Sequence, residues 1–164
     1  MAGCSKPHYL QTLFGIKRPY TFNCSIATKS YPMTKHKSTG RLRLEMEFEM
    51  HSSVGILYNY ISTATGLQSW FADNVNVHNQ VFDFSWEDGT GNSAEMVKSQ
   101  YNKYVRFQWK DAPEHESFEL HIVQDELTGD VELLVVDYCN EGEEEATRML
   151  WESQVDALRA LIGA

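Results

Sequence analysis

The feature that most constrains the fold is a long amphipathic segment at the C-terminal end of the chain. Its large apolar side chains, Trp151, Val155, Leu158 and Ile162, recur at spacings of four, three and four residues. This period predicts one apolar face on a helix of about 20 residues, which is about 30 Å long. Asn140 is the expected cap, and the glutamates at 141 and 143–145 suit the positive end of the helix dipole. Such a face needs a partner of similar size, and a sheet supplies one.

Alternating segments earlier in the chain predict that sheet. In the first of them, Leu42, Leu44, Met46, Phe48 and Met50 are separated by charged residues, which places the apolar side chains on one face of a strand. Six further strands are expected at residues 74–78, 80–87, 93–100, 104–110, 118–122 and 131–139. Between the first and second strands, helical spacing predicts two short helices, 53–61 and 64–71, with N-cap candidates at Ser53 and Thr63.

These elements together predict an α+β fold. A strongly curved antiparallel sheet of six or seven strands would wrap around the long C-terminal helix, and the two short helices after the first strand would close one end. A helix and a curved sheet rarely pack without leaving a gap, so this architecture is expected to enclose a pocket between them.

Charge divides the chain in two. Residues 1–41 contain seven basic side chains and no acid, whereas residues 42–164 hold the other seven basic side chains and all 23 acids, a balance of −16. Because this excess of negative charge repels phosphate backbones, we expect no nucleic-acid partner. We interpret residues 1–40 as a basic, irregular or disordered extension and residues 41–164 as the folded domain. The extension could be an arm for anionic partners, an organelle-type leader, or a segment upstream of a start at Met33.

Several classes of protein are excluded by other patterns. No stretch approaches the roughly 20 apolar residues of a membrane helix, so we expect no membrane span. The three cysteines, Cys4, Cys24 and Cys139, are widely spaced, which indicates neither a disulfide framework nor a zinc site and suits a cytoplasmic location. Glu119 and His121 share a strand face, but they alternate with apolar residues and are expected on the solvent side. We therefore expect no metal site and no cofactor.

One segment of the chain resembles a known family. It runs from Tyr60 to Asp73, reads YISTATGLQSWFAD, and together with the aromatic strand ending at Trp86 is similar to START-like domain proteins of the Bacteroidetes. The resemblance covers roughly residues 41–164 and is carried by Gly66-Leu67 and by the WFAD motif at 70–73. These proteins belong to the helix-grip (SRPBCC) superfamily, which includes lipid-transfer domains, polyketide cyclases and Aha-type chaperone activators. The resemblance implies the helix-grip fold and leaves the function open, because this superfamily hosts binders, carriers, enzymes and co-chaperones.

Aromatic side chains form the candidate binding site. Trp86 and Trp109 fall on the inward phase of neighbouring strands, and Trp151 lies on the apolar face of the helix. The residues expected to line an apolar pocket are Trp70, Phe71, Phe84, Trp86, Phe107, Trp109, Trp151 and Val155. Aromatic rings fill cores as readily as they line pockets, so a filled core is an equal alternative.

Two functions from different classes fit these patterns. The first is non-catalytic binding of an apolar or aromatic, lipid-like small molecule in a cavity between the C-terminal helix and the sheet. The alternative is a protein-interaction module of the Aha type, which would bind or regulate a chaperone or client through its acidic surface. An enzyme is the weakest interpretation, because no spacing compels a catalytic role for its candidate residues Glu95, Tyr101 and His121.

Overall fold

The computed structural model describes residues 34–35, 41–110, 112 and 117–163. Most of the predicted basic extension lies outside the described residues, and so do Cys4, Cys24 and Met33. The helices and strands of the described part are β1 (Thr34–Lys35), β2 (Arg41–Met50), α1 (Val54–Ser62), α2 (Ala64–Gln68), β3 (Asn74–His78), β4 (Val81–Ser85), β5 (Gly91–Gln100), β6 (Tyr104–Trp109), β7 (Ser117–Gln124), β8 (Val131–Asn140) and α3 (Glu144–Ile162).

All described strands form one antiparallel sheet in the order β1-β2-β8-β7-β6-β5-β4-β3. The first long strand pairs with the last one, in a register that runs from Arg41 opposite Asn140 to Met50 opposite Val131. The register of β5 against β6 shifts between Met96 and Lys98. Such a bulge bends a strand and interrupts its alternation, which explains why β5 gives the weakest strand pattern in the sequence. The predicted α+β helix-grip fold is confirmed, with seven long strands and the two-residue β1 at the edge.

Two of the three predicted helix caps are confirmed. Ser53 Oγ accepts a hydrogen bond from the Ile56 amide at 3.3 Å, and Thr63 Oγ1 accepts one from the Gly66 amide at 3.0 Å. The prediction that Asn140 caps the last helix is wrong. Strand β8 continues through Asn140, whose backbone belongs to the ladder with β2, and α3 begins at Glu144. The predicted second helix is also shorter than expected, because α2 ends at Gln68 and the chain turns.

Helix α3 approaches the inner face of the sheet unevenly. Its backbone lies closest to β2, β8 and α1. There the buried side chains of the sheet are mostly aliphatic, and we call this region the aliphatic half: Leu42, Leu44, Met46, Phe48, Met50, Leu133 and Val135. Towards β4, β6 and β7, rings bridge the space between helix and sheet. We call these rings the aromatic cluster: Trp70, Phe71, Phe82, Phe84, Trp86, Phe107, Trp109, Phe118 and Trp151.

Candidate functional site

The structure gathers the eight predicted pocket residues into one hydrophobic core. Seven of them belong to the aromatic cluster, and Val155 lies one turn after Trp151 on α3. All eight are buried, with exposures between 0% for Phe107 and 7% for Trp86. The elements that contribute them are the turn after α2, the strands β4 and β6 with the residue that follows β4, and helix α3. Residues distant in sequence therefore meet between the helix and the sheet.

Phe71 is the hub of the aromatic cluster. Its ring centroid lies 5.2 Å from that of Phe84, 5.4 Å from that of Phe118 and 5.9 Å from that of Trp151. It also meets Trp70 at 5.6 Å and Trp86 at 6.5 Å. These spacings fall in the range at which aromatic pairs attract each other beyond simple burial. One side chain from the turn after α2 thus connects the sheet to α3.

Phe118 is a member of the cluster that the predicted site omitted. It is fully buried, and its ring lies 4.9 Å from Phe107, 5.2 Å from Trp109 and 5.9 Å from Trp151. The sequence carries a signal for it, because Phe118 begins an alternating strand on the same inward phase as Leu120. The aromatic members of the predicted site were chosen from the tryptophans and the aromatic residues near them in sequence, and Phe118 is not one of these.

Gly66 holds the hub in position. A Cβ atom built on Gly66 would lie 2.4 Å from the carbonyl oxygen of Asn59 and 2.6 Å from the Cα of Tyr60. Only glycine therefore lets α2 pack this closely on the backbone of α1. The amide of Phe71 donates to the Leu67 carbonyl oxygen at 2.8 Å, which ties the hub to α2. The Gly66-Leu67 motif is thus a packing motif that places Trp70 and Phe71.

Three indole groups in the cluster are fixed by hydrogen bonds to the protein. Trp70 Nε1 donates to the Tyr60 carbonyl oxygen at 3.1 Å, and Trp86 Nε1 donates to the Phe71 carbonyl oxygen at 3.2 Å. Trp151 Nε1 donates to Oδ2 of the buried Asp137 at 2.8 Å. With their polar edges engaged, these rings have only apolar faces left for another molecule.

Few buried polar side chains accompany the rings on α3. Thr147 is 1% exposed, and its Oγ1 donates to the Glu143 carbonyl oxygen at 3.0 Å. Gln154 is 4% exposed, and its amide nitrogen Nε2 is buried without a hydrogen-bond partner among the described residues. Residues three and four apart share a helix face, so Gln154 lies on the face that also carries Trp151 and Leu158. Gln154 is not among the residues that the sequence predicted for the site.

Cys139 is a packed thiol near the end of β8. It is fully buried, and burial, together with the negative charges of Glu144 and Asp137, raises the pKa of the thiol to about 11. A thiol with such a pKa stays protonated near neutral pH and is a poor nucleophile. Cys139 therefore packs the core and supplies no reactive group.

The candidate catalytic residues lie away from the aromatic cluster. Glu95 is exposed on β5, and Tyr101 is 75% exposed in the turn between β5 and β6. His121 points to the outer face of β7, where its Nε2 lies 2.8 Å from Oε2 of Glu119. That contact lowers the pKa of the Glu119 carboxyl, and the charges of Arg106 and Arg43 lower it further. The expectation that Glu119 and His121 share an outer face is confirmed.

The described residues lack two other features that would indicate a function. No group of three or more His, Cys, Asp or Glu side chains is arranged to hold a metal ion in this part of the chain. Across the same residues, no helix combines the length and the apolar character needed to span a membrane.

Comparisons with known proteins agree with the fold. A family model described as a START-like superfamily domain matches residues 38–164. The solution structure of a Bacteroides fragilis protein is 32% identical and covers 75% of this chain and 92% of its own, with a TM-score of 0.57. The Aha1 dimer from Colwellia psychrerythraea is 15% identical and covers 73% of this chain and 95% of its own, with a TM-score of 0.62, which shows a shared fold. No curated protein matches this chain.

Proposed function

Because this chain belongs to the START-like superfamily, whose members commonly bind hydrophobic ligands, we propose that it binds an apolar or aromatic small molecule without transforming it. The ligand lies against the aromatic cluster, between α3 and strands β4, β6 and β7. We also propose that the protein acts in the cytoplasm, since the buried Cys139 is an unpaired thiol of the kind that a reducing compartment preserves.

The observation that carries this proposal is the aromatic cluster itself. Its rings connect the sheet to Trp151 of α3, and three of its indole N–H groups are already bonded to the protein. When an aromatic ligand enters the space between α3 and the sheet, ring contacts within the protein are exchanged for ring contacts between the protein and the ligand. Each such pair contributes about 0.5–1.5 kcal/mol beyond the burial of apolar area. The exchange therefore costs little, and burial of the ligand supplies the affinity.

The positions of the three candidate catalytic residues support binding without transformation of the ligand. Glu95, Tyr101 and His121 are on the exposed side of the sheet or in a turn, so none of them can reach a molecule bound to the cluster. The cysteine within the described core, Cys139, has a raised pKa. Both features support a binding protein over an enzyme.

The test is a fluorescence titration of the full chain with N-phenyl-1-naphthylamine, a neutral aromatic probe whose emission rises in apolar surroundings. We expect saturable binding with one probe per chain and quenching of tryptophan emission. Substitution Val155→Phe adds a ring beside Trp151 and should weaken binding about tenfold by filling the space. The matched control is Val97→Phe on β5, where the native side chain is 44% exposed, and it should bind as the wild type does.

The proposal is wrong if the folded wild-type protein shows no saturable probe binding, because the cluster is then a closed core. It is also wrong if Val97→Phe weakens binding as much as Val155→Phe does. Far-ultraviolet circular dichroism of both variants confirms that each one is folded before the titrations are compared.

The alternative function is a protein-interaction module of the Aha type. One surface favours it: four large apolar side chains are exposed at the end of the sheet where α1 begins, namely Ile56, Tyr101, Val123 and Leu127. Exposed apolar side chains gathered at one end of a molecule mark contact surfaces for other proteins. The acidic balance of residues 42–164 would steer a basic partner towards this domain.

This alternative is tested with a purified chaperone of the class that Aha-type proteins activate. Increasing amounts of the chain should raise the ATPase rate of the chaperone, and salt should reduce the effect by screening charge. Substitution Leu127→Ser, at a side chain that is 96% exposed, should weaken the effect. An unchanged ATPase rate at low salt contradicts it.

A further inference from the structure

The buried amide of Gln154 on α3 is a feature of the described interior that packing alone does not explain. Its side chain is 4% exposed, and Nε2 has no hydrogen-bond partner in the part of the chain that the structure describes. A buried donor without an acceptor destabilises a protein, because the group has given up its hydrogen bonds to water. Native cores contain few such groups.

Three indole N–H donors of the aromatic cluster differ from the Gln154 amide because they have protein acceptors. The indoles of Trp70, Trp86 and Trp151 all donate to protein oxygens at distances between 2.8 and 3.2 Å. Gln154 lies one turn beyond Trp151 on the same face of α3. Its Nε2 is thus a buried donor without a protein acceptor, on the helix face that carries Trp151, whereas these three indole donors are engaged.

The charges in the core indicate whether a ligand that accepts a hydrogen bond from Gln154 can itself be charged. The buried polar or charged side chains among the described residues are Ser117, Asp137, Thr147 and Gln154, and none of them is a cation. Asp137 lies in the same interior, bonded to Trp151. An anionic ligand would therefore be desolvated without a counter-ion and beside a carboxyl group, which is strongly unfavourable.

We propose that Gln154 selects the ligand, by donating a hydrogen bond from Nε2 to an oxygen acceptor of a neutral apolar molecule. This inference rests on the proposed function, since it concerns a ligand at the aromatic cluster. The ligand class is then a neutral ketone, ester, amide or ether with an aromatic or aliphatic body. A carboxylate with the same aromatic or aliphatic skeleton should not bind at the aromatic cluster.

The experiment compares three ligands of similar shape by displacement of N-phenyl-1-naphthylamine: 2-acetylnaphthalene, 2-isopropylnaphthalene and 2-naphthoate. In the wild type, the ketone should bind about tenfold more tightly than the hydrocarbon, the size expected for one hydrogen bond to a buried donor. The carboxylate should not displace the probe. In Gln154→Met, which keeps the length of the side chain but removes the donor, the ketone and the hydrocarbon should bind within about twofold of each other.

The control variant is Leu158→Met, one turn further along the same face of α3. It alters packing without changing any donor, so it should shift the affinities of the ketone and the hydrocarbon together. Equal binding of both ligands to the wild type, with no change in Gln154→Met, overturns the role of Gln154 and leaves the proposed binding site intact. Failure of all neutral ligands to bind overturns both proposals.

A second readout is the thermal stability of the unliganded protein. Removal of an unpaired buried donor should raise the melting temperature, so Gln154→Met is expected to melt at or above the wild-type temperature. A large fall in melting temperature would show that the amide has a structural partner, and would contradict its role in ligand selection.

Discussion

The two halves of the interior are built differently. In the aliphatic half, the backbone of α3 lies close to β2 and β8, and medium-sized side chains such as Leu44 and Leu133 are fully buried there. In the aromatic cluster, large rings from β4, β6, β7 and the turn after α2 span the distance to the helix. Residues that stand far from a partner need more volume to reach it. The position of one helix over a curved sheet therefore determines which half holds the rings.

This difference indicates where the fold tolerates change. Aliphatic chains under a close helix adapt by small rotamer shifts, whereas a ring network loses several specific contacts when one ring is altered. The position of the aromatic cluster also depends on an element outside the sheet, because Trp70 and Phe71 follow α2.

The largest effect is expected at Gly66, which anchors the aromatic cluster through α2. Gly66→Ala should destabilise the protein by about 3 kcal/mol, the upper end for overpacking, because the new methyl group meets backbone atoms of Asn59 and Tyr60 that cannot move away. The control is Gly55→Ala in α1, where a Cβ meets nothing within 4 Å and where alanine favours the helix. Urea unfolding measures both. Equal stabilities of the two variants would contradict the anchoring role.

The next prediction compares the loss of stability caused by one conservative substitution in the aromatic cluster with that caused by one in the aliphatic half. Phe71→Leu removes a ring that makes five aromatic contacts and should cost about 2 kcal/mol. Leu133→Met in the aliphatic half keeps the volume and should cost less than about 1.5 kcal/mol. Chemical denaturation ranks the two variants, and the distinction between the halves is wrong if Leu133→Met is the more damaging.

A smaller effect is expected on the outer face of β6 and β7, opposite the aromatic cluster. The pKa of Glu119 is lowered below 4.5 by the hydrogen bond with His121 and by Arg106 and Arg43, so the folded state binds its proton less tightly than the unfolded state does. This stabilises the protein above about pH 4.5, and the contribution is lost as the pH falls through the lowered pKa.

Glu119→Gln should therefore be less stable than the wild type by under about 1 kcal/mol at pH 7, because the site is near the surface. The difference between the two proteins should shrink as the pH falls below 4.5. Thermal melts from pH 3 to pH 7 measure it, with Glu47→Gln on an exposed part of β2 as the control. A difference that grows in acid would reverse the sign and refute the account.

The smallest effect concerns Cys139 in the interior beside β2. With its pKa raised to about 11, the thiol should react with a disulfide reagent at pH 7.5 only after unfolding. The measurement uses a chain with Cys4→Ser and Cys24→Ser, so that Cys139 gives the whole signal. Rapid labelling of the native protein would show that this part of the core opens readily.

The sequence predicted most of the fold because alternation and capping are local. The period of two in β2 placed its apolar side chains correctly, and Ser53 and Thr63 cap the helices that they were expected to cap. The start of α3 was wrong because the ladder between β2 and β8 extends to Asn140, and the length of a ladder depends on both strands.

The candidate site was predictable only in part. The inward phase of the strands identified the buried rings, yet which rings touch depends on distances across the sheet, so Phe118 was missed. The unpaired donor of Gln154 could not be predicted either, because a polar residue on an apolar helix face reveals its partner, or the lack of one, only in three dimensions. Whether the rings also bind a ligand remains a prediction.

The most direct test of the central claim is the nitrogen–proton correlation spectrum of the full chain with and without saturating 2-acetylnaphthalene. The chain has four tryptophans, so four indole signals report on the aromatic cluster. A ligand between α3 and the rings should shift the indole signals of Trp86, Trp109 and Trp151, and should leave the backbone amide of Leu44 in the aliphatic half nearly unchanged. Unmoved indole signals, or shifts confined to the outer face around His121, would contradict the claim.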